Sequence, residues 1–174
     1  MNPGVWRAAA LASIAALAGC ATPRAPAPDW LSGRLSVQVA ALADRPARSI
    51  SSAFDLRGDA DRGELRLATP LGTVVADAFW APGEARLVTS DGETHYPDLD
   101  ALAREALGEA LPLQALPAWL RGRPWPGAAS RSTAEGFEQL GWTVDLRRYA
   151  QGWLEITRAT PPAVTLRARL EPDS

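Results

Sequence analysis

From Trp30 to the carboxyl terminus, apolar residues recur at every second position, broken only in the middle of the chain. That period matches a strand with one buried face and one wet face, not a helix. Leu35, Val37 and Val39 alternate with Arg34, Ser36 and Gln38. Ile50, Ser52, Phe54 and Leu56 share one face of the next run, and Glu64-Leu65-Arg66-Leu67 alternates plainly. Val75, Asp77 and Phe79 oppose Val74, Ala76, Ala78 and Trp80, and Ala85 to Thr89 is a further short strand. The rhythm returns at Trp142, Val144 and Leu146, at Leu154 and Ile156, and at Val164, Leu166, Ala168 and Leu170. Turn signals separate the early runs at Gly58–Gly63, Pro70-Leu71-Gly72, Ala81–Glu84 and Asp91-Gly92. Such close spacing predicts hairpins and an antiparallel meander.

The middle of the chain changes period. Asp98 can cap a helix whose stripe is Leu99, Leu102, Ala103, Ala106 and Leu107, ending near Gly108. A second helix is expected over Gln114–Arg121, with Leu116, Trp119 and Leu120 inward and Pro117 tolerable only in its first turn. The fold class that follows is mainly β: a single curved antiparallel sheet forming an open (half) β-barrel with a short α-helical lid over its concave side. Such a barrel encloses an apolar cavity unless bulky side chains fill it. Candidate cavity residues are Leu35, Val37, Phe54, Leu65, Leu67, Trp142, Val144, Leu146, Leu154 and Ile156 on the strands, and Leu102, Leu116 and Trp119 on the lid. Ordinary core packing accounts equally well for any one of them.

Composition narrows the chemistry. All 18 basic residues are Arg, so a Walker lysine, a Schiff-base lysine and an S-x-x-K nucleophile pair are excluded. One His and one Cys cannot build a nitrogen- and sulfur-rich zinc site, and no two glycines flank a single residue as the dinucleotide fingerprint requires. Eighteen basic against 20 acidic residues give no general grip on nucleic acid. Enzymatic activity would have to come from a carboxylate pair, and the sequence does not pair its Asp and Glu residues. No nucleophile motif accompanies His95, so an exposed or hydrogen-bonded strand histidine is expected there. Arg34, Arg66, Arg86, Arg147 and Arg167 alternate with apolar residues as solvated strand faces, a subset of which could meet phosphates.

Met1–Gly19 carries one charge, Arg7, then an Ala-rich apolar run ending at Ala18 that is too short to span a bilayer. It reads as a secretory signal. Its end, Leu17-Ala18-Gly19-Cys20, resembles the lipobox of bacterial lipoproteins. The resemblance implies cleavage before Cys20, a thioether-linked diacylglycerol on its sulfur and acylation of the new amino group. No other cofactor is expected. Ala21, where lipoproteins kept in the inner membrane carry Asp, implies the outer membrane by the same resemblance. Thr22–Pro28 alternates Pro with small residues as an extended spacer. The organisation is then a signal peptide over 1–19, a lipidated cysteine and spacer over 20–29, and a domain over 30–174.

Leu71 stands out because turn tips are normally polar, yet it lies between Pro70 and Gly72 with strands on both sides. Together with the lipobox, the segments Trp30–Val37, Leu65–Gly72, Leu111–Leu113, Leu116–Gly122 and Phe137–Val144 resemble, in this order, the LolB family of outer-membrane lipoprotein receptors. Thr69 departs from the Asn or Ser of that pattern. The resemblance implies an open barrel with a helical lid, like that of the soluble periplasmic carrier LolA. It also implies a monomer that accepts acylated lipoproteins from a LolA-like carrier and inserts them among outer-membrane phospholipids. The leucine of the Pro70-Leu71-Gly72 loop would protrude and assist delivery. Each buried CH₂ is worth about 0.8 kcal/mol, so the acyl chains must pass directly between apolar sites, down a gradient of affinity and with no bond broken. A scaffolding lipoprotein with a filled core and a carrier of free lipids are the competing readings.

Overall fold

The computed structural model describes residues 30–107 and 111–172. The signal segment, Cys20 and the spacer lie outside the described residues, as do the side chains of Ala106 and Leu107. The alternating runs form eleven strands: β1 Leu31–Val39, β2 Arg48–Gly58, β3 Gly63–Ala68, β4 Val74–Ala81, β5 Glu84–Thr89, β6 Gly92–Tyr96, β7 Ser130–Ser132, β8 Gly136–Gln139, β9 Trp142–Asp145, β10 Trp153–Arg158 and β11 Val164–Leu170. They make one sheet in the order β6-β5-β4-β3-β2-β1-β11-β10-β9-β8-β7. Every pairing is antiparallel. β6 and β7 are free edges that do not pair with each other, so the barrel is open.

Nine of the ten pairings join strands adjacent in the chain, and β1 with β11 is the one distant pairing. The chain therefore enters at the middle strand, winds outward to β6, crosses to β7 and winds back inward to β11. The crossing segment carries the helices α1 (Leu99–Leu107) and α2 (Leu116–Leu120). Asp98 caps α1 as the sequence predicts, its Oδ1 accepting from the Ala101 N–H at 2.7 Å. α2 is shorter than the expected Gln114–Arg121. Before it, Ala115 N–H donates to the Pro112 carbonyl in a separate turn. After it, Gly122 turns the chain at φ +70°. A Cβ at Gly122 would lie 2.9 Å from the Tyr149 ring, so only glycine makes that stop.

α1 packs on β5 and β6, and α2 on β2. Beneath them the inward strand faces meet in one apolar cluster that includes Phe54, Leu56, Val144, Ile156, Val164 and Trp119. On the inward face of β1, between Leu31 and Leu35, stands Gly33, where a Cβ would sit 2.3 Å from the Arg169 carbonyl oxygen and 3.0 Å from the Phe54 ring. That absence lets β1 and β11 close against each other over Phe54. The outward face is a lattice of Arg–carboxylate pairs, including Arg57–Glu64, Arg66–Asp77, Arg86–Glu93 and Arg167–Glu155.

Candidate functional site

The candidate wall residues fall into two groups. Leu35, Val37, Phe54, Trp142, Val144, Leu154 and Ile156 are buried, and so are Leu102, Leu116 and Trp119 of the helices. Leu65, Leu67 and Leu146 are only partly buried and border that cluster. Leu146 lies one residue past β9 rather than on it. There Asp145 Oδ1 accepts the Arg147 N–H at 2.9 Å and turns the chain out of the strand. The structure thus brings all thirteen to one side of the sheet, around a common interior.

A cleft of about 730 Å³ opens beside the lid, between the β2–β3 turn at Asp59–Asp61 and the α2 segment, lined by Pro117, Ala118, Pro124 and Trp125. Smaller clefts of about 420 and 270 Å³ lie on the β4–β6 wing and against β1, β2 and β11.

Pro70, Leu71 and Gly72 form a three-residue hairpin loop between β3 and β4. The Gly72 N–H donates to the Thr69 carbonyl at 2.9 Å, which places Pro70 and Leu71 at the two central turn positions. Gly72 follows at φ +86°, the left-handed position that closes this kind of hairpin. Thr69 Oγ1 accepts from the Thr73 N–H at 3.2 Å, a contact that a serine or asparagine could also make. The tip is therefore rigid and faces Leu71 outward, 95 % exposed. Val74 and Val75, just beyond it, are also exposed. A rigid loop holding a leucine in water forgoes about 1.5–3 kcal/mol of burial.

A second apolar tip was not visible in the sequence pattern. Leu140 and Gly141 make the two-residue turn between β8 and β9. Leu140 is about half exposed and holds φ +54°, where Asn or Gly would be favoured. The left-handed conformation costs a residue such as leucine about 1–2 kcal/mol. In strand order the β3–β4 and β8–β9 connections lie at the same end of the sheet.

The lid is secured by a residue that pattern reading passes over. Gln139, 2 % exposed on β8, uses its whole amide. Its Oε1 accepts from Trp119 Nε1 at 2.7 Å and from the Trp125 N–H at 2.9 Å. Its Nε2 donates to the carbonyls of Trp125 and Ala128, both at 2.7 Å. One side chain thus ties α2, the Arg121–Gly127 loop and the β7–β8 edge together. A polar residue on an inward strand position is the only sequence signal for it.

His95 sits on edge strand β6, its side chain 70 % exposed and its Nε2 2.9 Å from Glu93. Among the described residues no cluster of three or more His, Cys, Asp and Glu residues could hold a metal ion. Also among the described residues, no helix is long and apolar enough to cross a membrane.

An open sheet curled round an apolar interior, roofed by helices and carrying an apolar tip on its rim, defines the class of open antiparallel half-barrels with a helical lid. Residues 29–171 match the family model described as outer membrane lipoprotein LolB, and the chain belongs to that family. It is 35 % identical over 173 residues to the outer-membrane lipoprotein LolB of Bordetella petrii, covering 90 % of this chain and 85 % of that protein. It is 36 % identical over 146 residues to that of Chromobacterium violaceum, covering 77 % of this chain and 78 % of the relative. The protein of the same name from Bordetella pertussis is 37 % identical over 158 residues, covering 80 % and 77 %.

Proposed function

We propose that the protein is a receptor anchored in the outer membrane by lipid on Cys20, facing the periplasm. It takes acylated lipoproteins from a LolA-like carrier into the interior beneath α1 and α2 and releases them into the membrane. The observation that carries this reading is the Leu71 tip, 95 % exposed on a loop stiffened by Pro70 and closed by Gly72. A soluble domain gains nothing from an apolar tip in water, whereas a bilayer within reach of the tether supplies the missing burial. The partly buried Leu65 and Leu67 would touch the acyl chains on the side of the interior that is not yet closed. The gap beside Pro117 and Trp125, rimmed by Asp59, Asp61, Arg121 and Arg123, would give the chains a way in alongside the lid. No covalent step is needed, since each site need only bind the chains more tightly than the one before.

The test separates acceptance from delivery. Leu71→Glu should take a lipoprotein from the carrier at the wild-type rate and fail to pass it to vesicles. Leu65→Gln and Leu67→Gln should lose acceptance while retaining the wild-type unfolding midpoint. Normal insertion by Leu71→Glu, together with normal acceptance by both wall variants, would overturn the proposal.

A further inference from the structure

Of the five arginines that the strand pattern turns outward, the structure satisfies four. Arg66 pairs with Asp77, Arg86 with Glu93, Arg147 with Asp145 and Glu135, and Arg167 with Glu155. Arg34 has no hydrogen bond or ion pair among the described residues. Its register partner across the β1–β11 seam is Arg169, a second arginine. Like charges directly opposite on neighbouring strands destabilise a sheet. Where the outer face sets acid against acid, at Asp145 and Glu155, Arg147 and Arg167 neutralise the pair. Where it sets His95 against Arg86, Glu93 contacts both. At Arg34 and Arg169 no carboxylate among the described residues does so. Arg169 instead stacks on Trp153 at 5.0 Å, with Arg148 on the same ring at 5.1 Å.

Arg34 and Arg169 line a cleft of about 270 Å³ with Ser36, Ser51, Trp153 and the Glu155-paired Arg167, and its remaining wall includes Pro70. Pro70 is the neighbour of Leu71. A cationic cleft and an apolar tip therefore share one loop on one face of the molecule. Paired guanidinium groups beside serine hydroxyls suit a phosphate.

We propose that Arg34 and Arg169 form a binding site for the phosphate of an anionic phospholipid headgroup, occupied when Leu71 enters the acyl layer next to it. The proposal rests on the delivery reading above and adds its lipid ligand. The bilayer is the committed source because Pro70 joins the cleft to the tip, and the tip has no use for a soluble phosphate. The headgroup supplies the missing counter-charge, and the unfavourable arginine pair becomes favourable only at the membrane. Anionic lipid should then assist delivery, with each arginine contributing about a fivefold effect.

The test uses the full lipidated chain in phosphatidylcholine vesicles with and without phosphatidylglycerol. Phosphatidylglycerol should speed delivery by the wild type and by Arg62→Gln/Arg104→Gln, an equal charge change at two exposed arginines on the β2–β3 turn and α1. It should not speed delivery by the Arg34→Gln/Arg169→Gln double variant, whose unfolding midpoint should equal or exceed the wild type's. Short-chain dihexanoyl phosphatidylglycerol, titrated below its micelle concentration, should bind the wild type at least tenfold more tightly than the double variant. That binding is read without any lipoprotein, so it stands or falls apart from the delivery reading. If the double variant keeps both the lipid response and the short-chain binding, the site is refuted. If inorganic phosphate at constant ionic strength binds the wild type at least as tightly as the short-chain lipid does, the ligand is free phosphate and the headgroup assignment is refuted.

Discussion

The two wings of the sheet, five strands on either side of β1, are built to different standards. On the β7–β11 wing, Phe137, Trp142, Val144, Leu154, Ile156, Val164, Leu166 and Ala168 are all buried, and Gln139 locks the edge to the lid with four hydrogen bonds. On the β2–β6 wing Phe54, Leu56, Ala78, Trp80 and Ala85 are buried, but the inward Leu65, Leu67 and Leu87 are only partly covered, and of β6 only Tyr96 is not exposed. One wing is a finished wall and the other is unfinished. Local stability in proteins varies in this way, and the less covered parts are those free to open. An interior that admits a guest, as proposed, would be opened from the side where fewer contacts break.

The contrast can be broken by substitution. Gln139→Leu should have the largest effect. It strands two donors and two acceptors in an apolar interior and should cost at least about 3 kcal/mol in urea unfolding. A loss below 1 kcal/mol would remove the locked edge from the account. Ile156→Ala, in the finished wall, should cost about 2–4 kcal/mol, whereas Leu67→Ala in the open wing should cost about 1 kcal/mol. Equal losses would mean that the wings do not differ. Leu140→Asn should act in the opposite direction, since asparagine tolerates φ +54°, and should raise stability by about 0.5–1 kcal/mol. Failure of the midpoint to rise would show that the turn is not strained by its leucine.

The smallest effect is a pH dependence at the end of β9. The Arg147 guanidinium, hydrogen-bonded to Asp145, holds that carboxyl below its usual range, against a lesser opposing push from burial. A carboxyl lowered on folding stabilises the fold fully above its unfolded value of about 3.9. The contribution is lost as pH falls through the lower native value. Because Arg147 is largely exposed, the contribution should be only about 0.3 kcal/mol. It is read as a narrowing difference between wild type and Asp145→Asn in urea midpoints measured at falling pH. A difference that stayed constant down to strongly acid pH would show that the pair does not act through this ionisation.

Much of this architecture is written in the chain because a half-buried strand needs only a period of two. The β1 to β5 runs, the Asp98 cap and the α1 stripe all follow from local chemistry, and the Leu71 tip follows from Pro-Leu-Gly. β7 escapes such reading because Ser130-Arg131-Ser132 has no apolar side chain and owes its strand form to β8 alone. Gln139 escapes because its meaning lies in Trp119, Trp125 and Ala128, which other segments deliver. Arg34 and Arg169 are each unremarkable among alternating arginines. Only the closing pairing of the sheet, across most of the chain, sets them opposite one another.

In the proposed arrangement the strand order also decides where a membrane leash would be tied. The leader joins the domain at β1, the sixth of eleven strands, which is flanked by β2 along all nine of its residues and by β11 along seven. A tug through that proposed anchor would be taken up in shear by two long ladders at the hub. The wings hang outboard of that load, free to spread or fold without shifting the mooring.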